Sequence, residues 1–282
     1  MRTHHGISYV DEGHGPVALF VHGAGTGSGL WANVIAALRE ERRCVALDLP
    51  VHGQSEARED LSLPALAEVI EEFCADLGLD RVDLVANDSG GAIAQVFAVR
   101  HPERLRTLTL TNCDVHDNLP PEPFRPTVEL AAQGRLAPLT AKLLEQPSLL
   151  VQGVFAASYE RIDDPEGLVE RFVRPIFGDP ERGRAFERFL VGLRADDLVA
   201  IERELAGLAV PTLVVWGTDD PFFELRWAGW LRDTIPGVRR VVEIEGGRLF
   251  FVDERAGELV PHLREHFAFG LTASATGGRD RP

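Results

Sequence analysis

The chain has 282 residues, with 29 Lys and Arg against 44 Asp and Glu, so its formal net charge is −15. A protein this acidic repels nucleic acids and anionic membrane surfaces, so we expect neither as a partner. Hydrophobic residues make up 45 % of the chain, which is typical of a globular protein. No segment resembles a signal peptide or a membrane span. The cysteines Cys44, Cys74 and Cys113 suggest neither a disulfide framework nor a metal site, so we expect a cytoplasmic protein with reduced thiols.

Strand and helix signals alternate over the first part of the chain. A strand signal at Ile7–Val10 is followed by short apolar runs that have no polar alternation. Such runs are typical of parallel strands that are buried on both faces of a sheet. Pro64 suits the first residue of a helix, and Gly78 suits its stop. The predicted strands are 17–21, 44–47, 82–86 and 105–110, and the predicted helices are 28–40, 64–77 and 90–100.

The alternation stops near residue 114 and resumes at residue 212. The interval contains Pro-rich turns and helical stretches, without obvious strands. The later segment has strands at 212–216 and 240–244, with helices at 224–234 and 250–267. We therefore expect an α/β core formed by residues 1–114 and 208–268, with a helical cap inserted at 115–207. Residues 269–282 are rich in Gly, Ser, Thr and Arg, which predicts a flexible tail.

One segment carries the main chemical signal. Residues 84–94 read Leu-Val-Ala-Asn-Asp-Ser-Gly-Gly-Ala-Ile-Ala, a strand that turns sharply into a helix. The turn needs small residues on both sides, as in the nucleophile elbow of pattern small-x-nucleophile-x-Gly. This register places Asp88 at the nucleophile position. The register one residue later would select Ser89, but it would put Asn87 at a position that requires a small residue. Asp88 would also suit a helix cap.

These motifs resemble the α/β-hydrolase fold superfamily, in the branch with Asp at the elbow. The segment His22-Gly23-Ala24-Gly25 is similar to the oxyanion loop of that family, and residues 48–55 are similar to its D-x-x-G-x-G-x-S turn. The resemblance implies a mostly parallel sheet flanked by helices, with a helical cap after the sixth strand. It also implies an oxyanion hole formed by the N–H groups of Ala24 and Ser89, and an acid at Asp220. Asp219 and Asp114 are alternative positions for that acid.

The resemblance fails at the catalytic base. The family has a His after its last strand, whereas this chain reads Glu245-Gly246-Gly247-Arg248. A guanidinium group stays protonated and cannot accept a proton from water. We expect Arg248 to be catalytic in another way, beside Asp88 and Asp220, where its charge would hold both as carboxylates. His22 and His116 are possible surrogate bases, although a structural role is the alternative for each.

Specificity residues of the nearest subfamilies are mostly absent. Haloalkane and fluoroacetate dehalogenases commonly carry Trp or Arg after the nucleophile, where this chain has Ser89. Epoxide hydrolases use cap tyrosines to protonate the opening oxygen, and Tyr159 is the only tyrosine in the predicted cap. Of these activities, the sequence therefore favours epoxide opening. Trp31, Tyr159 and Phe155 are possible substrate contacts, with burial in the core as the alternative for the aromatic residues.

Three functions remain open at this stage. The first is an epoxide-hydrolase-like hydrolase that acts through Asp88 with an atypical triad. The second is a lyase, isomerase or cyclase in which Asp88 transfers protons and Arg248 binds an anionic group. The third is a binding protein that has lost catalysis. In each case we expect the partner to be a small molecule and the protein to be a monomer or homodimer. The sequence suggests neither a cofactor nor a metal.

Overall fold

The computed structural model describes residues 1–276. Its strands are β1 Arg2–His4, β2 Ile7–Glu12, β3 Val17–Val21, β4 Arg43–Leu47, β5 Val82–Asp88, β6 Leu105–Cys113, β7 Thr212–Gly217 and β8 Val238–Ile244. They form one sheet in the order β1-β2-β4-β3-β5-β6-β7-β8. Strand β2 pairs antiparallel with both β1 and β4, and β3 to β8 pair in parallel, so the predicted mostly parallel sheet is confirmed. The short strand β1 has no counterpart in the sequence prediction.

Helices cover the sheet, and the cap separates β6 from β7. The first core helices are α1 Ala32–Leu38, α2 Leu63–Asp76 and α3 Ser89–Arg100. Ser62 caps α2 through its side chain, and Pro64 lies in the first turn, as the sequence predicts. The cap contains α4 Arg125–Ala132, α5 Leu136–Leu143, α6 Pro147–Val154, α7 Pro165–Leu168, α8 Arg174–Phe177, α9 Pro180–Gly192, α10 Ala195–Ala200 and α11 Glu202–Leu205.

The last helices correct the prediction of a tail. After α12 Arg226–Thr234 and α13 Phe251–Glu254, helix α14 runs from Ala256 to Thr276. Residues 269–276 are thus helical rather than part of a flexible tail. The reason is packing against β6: Gly270 lies so close to Thr107 that an added Cβ would meet its Cγ2 at 2.4 Å. The prediction for residues 277–282 lies outside the described residues.

Burial of the parallel strands fixes where a site can form. Strands β3 to β7 are almost entirely buried, and their carboxyl ends meet at one edge of the sheet under the cap. Open α/β sheets bind ligands at that edge. Within residues 1–276, no helix is both long enough and apolar enough to cross a membrane.

Candidate active site

The turn between β5 and α3 has the geometry of an elbow. Asp88 is the residue at the turn, with φ of 56° and ψ of −137°, a conformation that is strained for a residue with a Cβ. The next two glycines allow a close approach of the backbone. A Cβ at Gly90 would lie 2.2 Å from the carbonyl oxygen of His22, and one at Gly91 would lie 2.3 Å from Cβ of Cys113. The predicted strand–turn–helix is present, and Asp88 takes the position that the steric argument selected over Ser89.

Two backbone N–H groups meet the Asp88 carboxyl. The N–H groups of Ser89 and Ala24 hydrogen bond to it. These two bonds favour the carboxylate and so contribute a lowering of its pKa. The N–H of Ala24 also donates to Oγ of Ser89 at 2.9 Å. Gly23 gives the carboxyl its room, because a Cβ there would lie 2.2 Å from Oδ2 of Asp88. The predicted oxyanion donors therefore lie at the elbow residue itself.

Asp220 lies in the loop after β7 and is held by donors on both of its oxygens. Nδ2 of Asn112 donates to Oδ2 at 2.7 Å, and the N–H of Phe222 donates to Oδ1 at 2.8 Å. Burial nevertheless raises the pKa of Asp220 to about 6. Asp219, the alternative acid, points to solvent and approaches Nε of Arg248 at 3.8 Å. Of the two neighbours, the structure therefore places Asp220 toward the elbow.

The electrostatics of the site are those of buried carboxyls without a nearby cation. Burial, together with the charge of Asp220, raises the pKa of Asp88 to about 7, and the two N–H donors oppose this rise. Asp114, one residue beyond β6, is 2 % exposed. Burial raises the pKa of Asp114 well above its usual range, with contributions from the charges of Asp88 and Asp220.

Arg248 does not act as the sequence prediction expects. Its Nη1 donates to the carbonyl oxygens of Ala156 and Tyr159, both at 3.0 Å, so its guanidinium binds the backbone of the cap. It makes no contribution to the shifted pKa values of Asp88 and Asp220, both of which are raised rather than lowered. The expectation that Arg248 holds them as carboxylates is wrong.

The segment after β8 is anchored to the elbow by backbone contacts rather than by a charged group. Nδ2 of Asn87 donates to the carbonyl oxygen of Leu249 at 3.1 Å. Leu249 and Phe250 consequently line the cavity beside Asp88, whereas Arg248 is absent from its lining. An aliphatic side chain therefore faces the site in the segment from which the family's base would come.

The two candidate surrogate bases also lie outside the site. Nε2 of His22 accepts from the N–H of Leu49 at 2.9 Å, so the proton is on Nδ1, which donates to the carbonyl oxygen of Gly23 at 2.7 Å. Burial lowers the pKa of His22. The lone pair on its Nε2 is already engaged by the N–H of Leu49 and cannot accept a proton from water. His116 contacts Asp117, Glu202 and the ring of Trp230, and it does not line the cavity. Both predictions are corrected to structural roles.

Of the three aromatic residues predicted as substrate contacts, one lines the cavity and two do not. Phe155 lines the cavity, as expected. Trp31 is fully buried against Phe20, with ring centroids 5.3 Å apart, and is a core residue. The hydroxyl of Tyr159 donates to Oδ2 of Asp253 at 3.1 Å, so it faces away from the cavity. The sequence analysis missed six further phenylalanines that line the cavity, because neither the facing of short cap helices nor that of the loops after β7 and β8 is visible in a periodicity. These are Phe124, Phe177, Phe186, Phe222, Phe223 and Phe250.

The cavity between core and cap has a volume of about 120 Å³. Asp88, Ser89 and Asp114 are polar members of a lining made mostly of aliphatic and aromatic side chains. No Lys, Arg or His is among the described residues that line it. Because an apolar cavity of about 150 Å³ holds benzene, this one fits a small apolar molecule. Acidic side chains supply its charge, so it disfavours anions.

One group outside the cavity could hold a metal ion. His4, His5 and Asp76 bring three potential ligand atoms within 4.8 Å of one another on the surface of the first hairpin and α2. Nε2 of His4 lies 3.6 Å from Oδ2 of Asp76, a distance that an ion pair with a protonated imidazole also explains. None of the three lines the cavity.

Comparison with known proteins agrees with this architecture. The α/β-hydrolase fold family model matches residues 16–255, and the chain belongs to that family. An uncharacterized protein of Mycobacterium tuberculosis is 28 % identical over 266 residues, which cover 90 % of this chain and 77 % of that protein. Haloalkane dehalogenase 2 of the same species is 43 % identical over 108 residues, but only 38 % of each chain is covered.

A solved structure extends the likeness to the whole fold. The haloalkane dehalogenase from Bradyrhizobium elkani superposes with a TM-score of 0.76 at 22 % identity, covering 93 % of this chain and 95 % of that one. The chain thus belongs to an enzyme family with haloalkane dehalogenases among its relatives.

Proposed function

We propose that the protein is an enzyme that opens small apolar epoxides through Asp88 and hydrolyses the resulting ester. The observation that carries the proposal is the elbow: a strained carboxyl residue with two N–H donors beside an apolar cavity. A carboxylate in this setting can attack an electrophilic carbon and form a covalent ester. The same N–H groups would then stabilise the tetrahedral intermediate during hydrolysis.

The lining of the cavity favours an epoxide over a haloalkane. A departing halide is an anion, and it needs hydrogen-bond donors such as the indole N–H groups that dehalogenases place next to the nucleophile. Here Ser89 follows Asp88, and its Oγ accepts from Ala24. The Asp88 carboxylate would repel a halide held beside it, and the described lining offers no Lys, Arg or His to bind one. An epoxide keeps its oxygen attached and needs a proton donor instead of an anion site.

The structure also supports Asp88 rather than Ser89 as the reactive group. A serine nucleophile needs a base within hydrogen-bond reach, normally an imidazole. His22 and His116 are engaged elsewhere, and no His lines the described part of the cavity. A carboxylate requires no deprotonation by a partner. With a pKa of about 7, part of Asp88 is ionised at neutral pH.

A second candidate follows from the same missing imidazole. A carboxyl with a pKa of about 7 is well matched to general acid–base catalysis at neutral pH. Asp88 would then move a proton on the substrate without forming an ester, as in a lyase or isomerase. Arg248 takes no part in this version, because its guanidinium binds the cap backbone.

A single-turnover reaction in oxygen-18 water distinguishes the two candidates. The probe is 1,2-epoxyhexane with enzyme in excess. Ester formation predicts an unlabelled diol in the first turnover and a gain of about 2 Da in the peptide that contains Asp88, because water attacks the carbonyl carbon of the ester. Asp88→Asn is the control and should give neither product nor label.

Two outcomes would contradict the epoxide proposal. Label in the first-turnover diol without label in Asp88 would mean that water attacks the epoxide directly. Consumption of epoxide without diol, together with deuterium exchange at a substrate carbon in heavy water, would support the proton-transfer candidate instead.

A further inference from the structure

Asp114 is a second carboxyl at the cavity, and its position follows from the sheet. Strand β6 pairs with β5 so that Cys113 lies opposite Asp88, and Asp114 is the next residue. It lines the cavity together with Asp88. Its main-chain carbonyl accepts from Nε2 of Gln95 at 2.8 Å, which fixes the backbone at this point. The two carboxyls are therefore neighbours at the carboxyl edge of adjacent strands.

The carboxyl of Asp114 has an unmet hydrogen-bonding requirement. Its Oδ1 is buried and has no hydrogen-bond partner, although the residue is only 2 % exposed. A buried polar atom without a partner is costly to the fold. Asp114 lines the cavity, where a substrate oxygen could supply that partner.

The groups around Asp114 disfavour the ionised form of its carboxyl. Asp88 on β5, Asp220 after β7 and the thiol of Cys113 on its own strand face it, and none of them carries a positive charge. Burial, with the charges of Asp88 and Asp220, raises the pKa of Asp114 well above that of an ordinary carboxyl. When protonated, Asp114 is an O–H donor, in the way that a buried acid can donate to a substrate oxygen.

We propose that Asp114 is the catalytic acid, and then the catalytic base, of the reaction proposed for Asp88. The inference rests on that proposed function. It assigns to one carboxyl the two roles that the family divides between cap tyrosines and a histidine. Tyr159 cannot supply the first role because its hydroxyl is bound to Asp253, and the described lining holds no imidazole for the second.

In the first half-reaction, one C–O bond forms and one breaks. A carboxylate oxygen of Asp88 attacks an epoxide carbon, and the electron pair of the breaking C–O bond moves to the epoxide oxygen. That oxygen takes the proton of Asp114. Asp88 becomes a neutral ester while Asp114 becomes a carboxylate, so the charge passes from one to the other and the total charge of the site is unchanged.

In the second half-reaction, the Asp114 carboxylate takes one proton from water. The hydroxide attacks the ester carbonyl of Asp88, and the N–H groups of Ala24 and Ser89 stabilise the oxyanion. Collapse breaks the bond to the substrate oxygen, which takes the remaining proton of the former water and leaves as the diol. Asp88 is again a carboxylate and Asp114 again an acid.

The test compares two alkylating reagents of equal length, only one of which needs an acid. Ring opening of 1,2-epoxyhexane requires protonation of its oxygen, whereas 1-bromohexane releases bromide without a proton. Single-turnover mass spectrometry follows the adduct on Asp88. In Asp114→Asn we expect adduct formation from the epoxide to slow by at least about 100-fold, and that from the bromide to change by less than about threefold. The bromide adduct should also persist, because its hydrolysis lacks a base.

The other possible results of this experiment would overturn the inference, the proposed function, or both. Equal slowing with both reagents, in a variant whose thermal unfolding matches the wild type, would mean that Asp114 only shapes the cavity, and would overturn the inference. An unchanged epoxide rate would overturn it as well, while the proposed function would stand. No adduct from either reagent in the wild type would overturn the proposed function together with the inference. Asp117→Asn, on an exposed carboxyl near His116, is the matched control.

Discussion

The N–H of Ala24 donates to Oγ of Ser89 at 2.9 Å while it also contacts the carboxyl of Asp88. One of the two N–H donors at the elbow is therefore shared between a hydroxyl and the carboxyl of Asp88. A shared donor stabilises the ionised carboxylate less than an undivided one. Because the Ala24 N–H is shared, it lowers the pKa of Asp88 less than it otherwise would. The pKa therefore stays near neutrality, although the N–H of Ser89 also lowers it.

Ser89→Ala should lower the pKa of Asp88. The variant leaves the Ala24 N–H to the carboxylate alone, and a typical hydrogen bond contributes about 1 kcal/mol, or somewhat less than one pKa unit. The measurement is the pH dependence of the rate at which 1-bromohexane alkylates Asp88, since only the carboxylate reacts. Its midpoint should move to lower pH in Ser89→Ala and stay in place in the exposed control Ser148→Ala. A midpoint at higher pH would show that the serine hydroxyl itself supports the carboxylate.

Asp88→Asn should stabilise the fold, and the gain should grow with pH. The pKa of Asp88 is raised to about 7 in the folded state against 3.8 as its ordinary value, so the folded state binds the proton more tightly than the unfolded chain. The wild type therefore loses stability as pH rises from about 4 to 7, and the loss is complete above the folded pKa. Three pKa units correspond to at most about 4 kcal/mol.

Urea unfolding at several pH values between 5 and 8 measures this difference. The free energy of unfolding of Asp88→Asn should exceed that of the wild type by a margin that widens up to about pH 7 and then stays constant. The exposed control Asp233→Asn should show no such widening. A margin that narrows with pH would mean that the folded state favours the carboxylate of Asp88, contrary to its burial.

The sequence sufficed for those parts of the site that depend on backbone geometry. The elbow needs small residues at fixed offsets, so the steric pattern located the turn and favoured Asp88 over Ser89 for its central position. Asp220, the predicted acid, follows a buried strand, and its place follows from the order of strands. The oxyanion donors are main-chain groups, and they lie where the loop after β3 meets the elbow.

The direction of long side chains could not be read in the same way. Arg248 has the expected place in the chain, but carbonyl oxygens of the cap attract its guanidinium away from the carboxyls. Tyr159 is in the cap as predicted, yet Asp253 on the core binds its hydroxyl. Each partner lies about 90 residues away in sequence, so only the tertiary fold brings the pairs together. The sequence names Asp114 only as an alternative position for the family's acid, and its burial at the cavity follows from the same packing.

Arg248→Ala should loosen the cap without affecting the chemistry of Asp88. The variant removes two hydrogen bonds to carbonyl oxygens at 3.0 Å from a side chain that is 34 % exposed. We expect a loss of about 1–2 kcal/mol in the free energy of unfolding, because water can replace part of these bonds. The pH midpoint of Asp88 alkylation should not move. A midpoint raised by a full unit would reveal a charge interaction with Asp88, and Arg226→Ala, on an exposed pair with Glu224, is the control for stability.

Gly23→Ala should strongly impair the reaction of Asp88 and also lower the stability of the fold. A Cβ at Gly23 would lie 2.2 Å from Oδ2 and 2.4 Å from Cβ of Asp88, closer than nonbonded atoms can approach, so the local backbone must shift and the carboxyl must leave its position beside the N–H donors. The backbone at Gly23 is not in the left-handed region, so alanine adds no strain of its own. We expect adduct formation to fall by at least about 100-fold, as when an oxyanion donor is lost. Gly257→Ala, where an added Cβ meets nothing within 4 Å, should keep the wild-type rate. Full activity in Gly23→Ala would mean that Asp88 reacts from another position than the one held by Ala24 and Ser89.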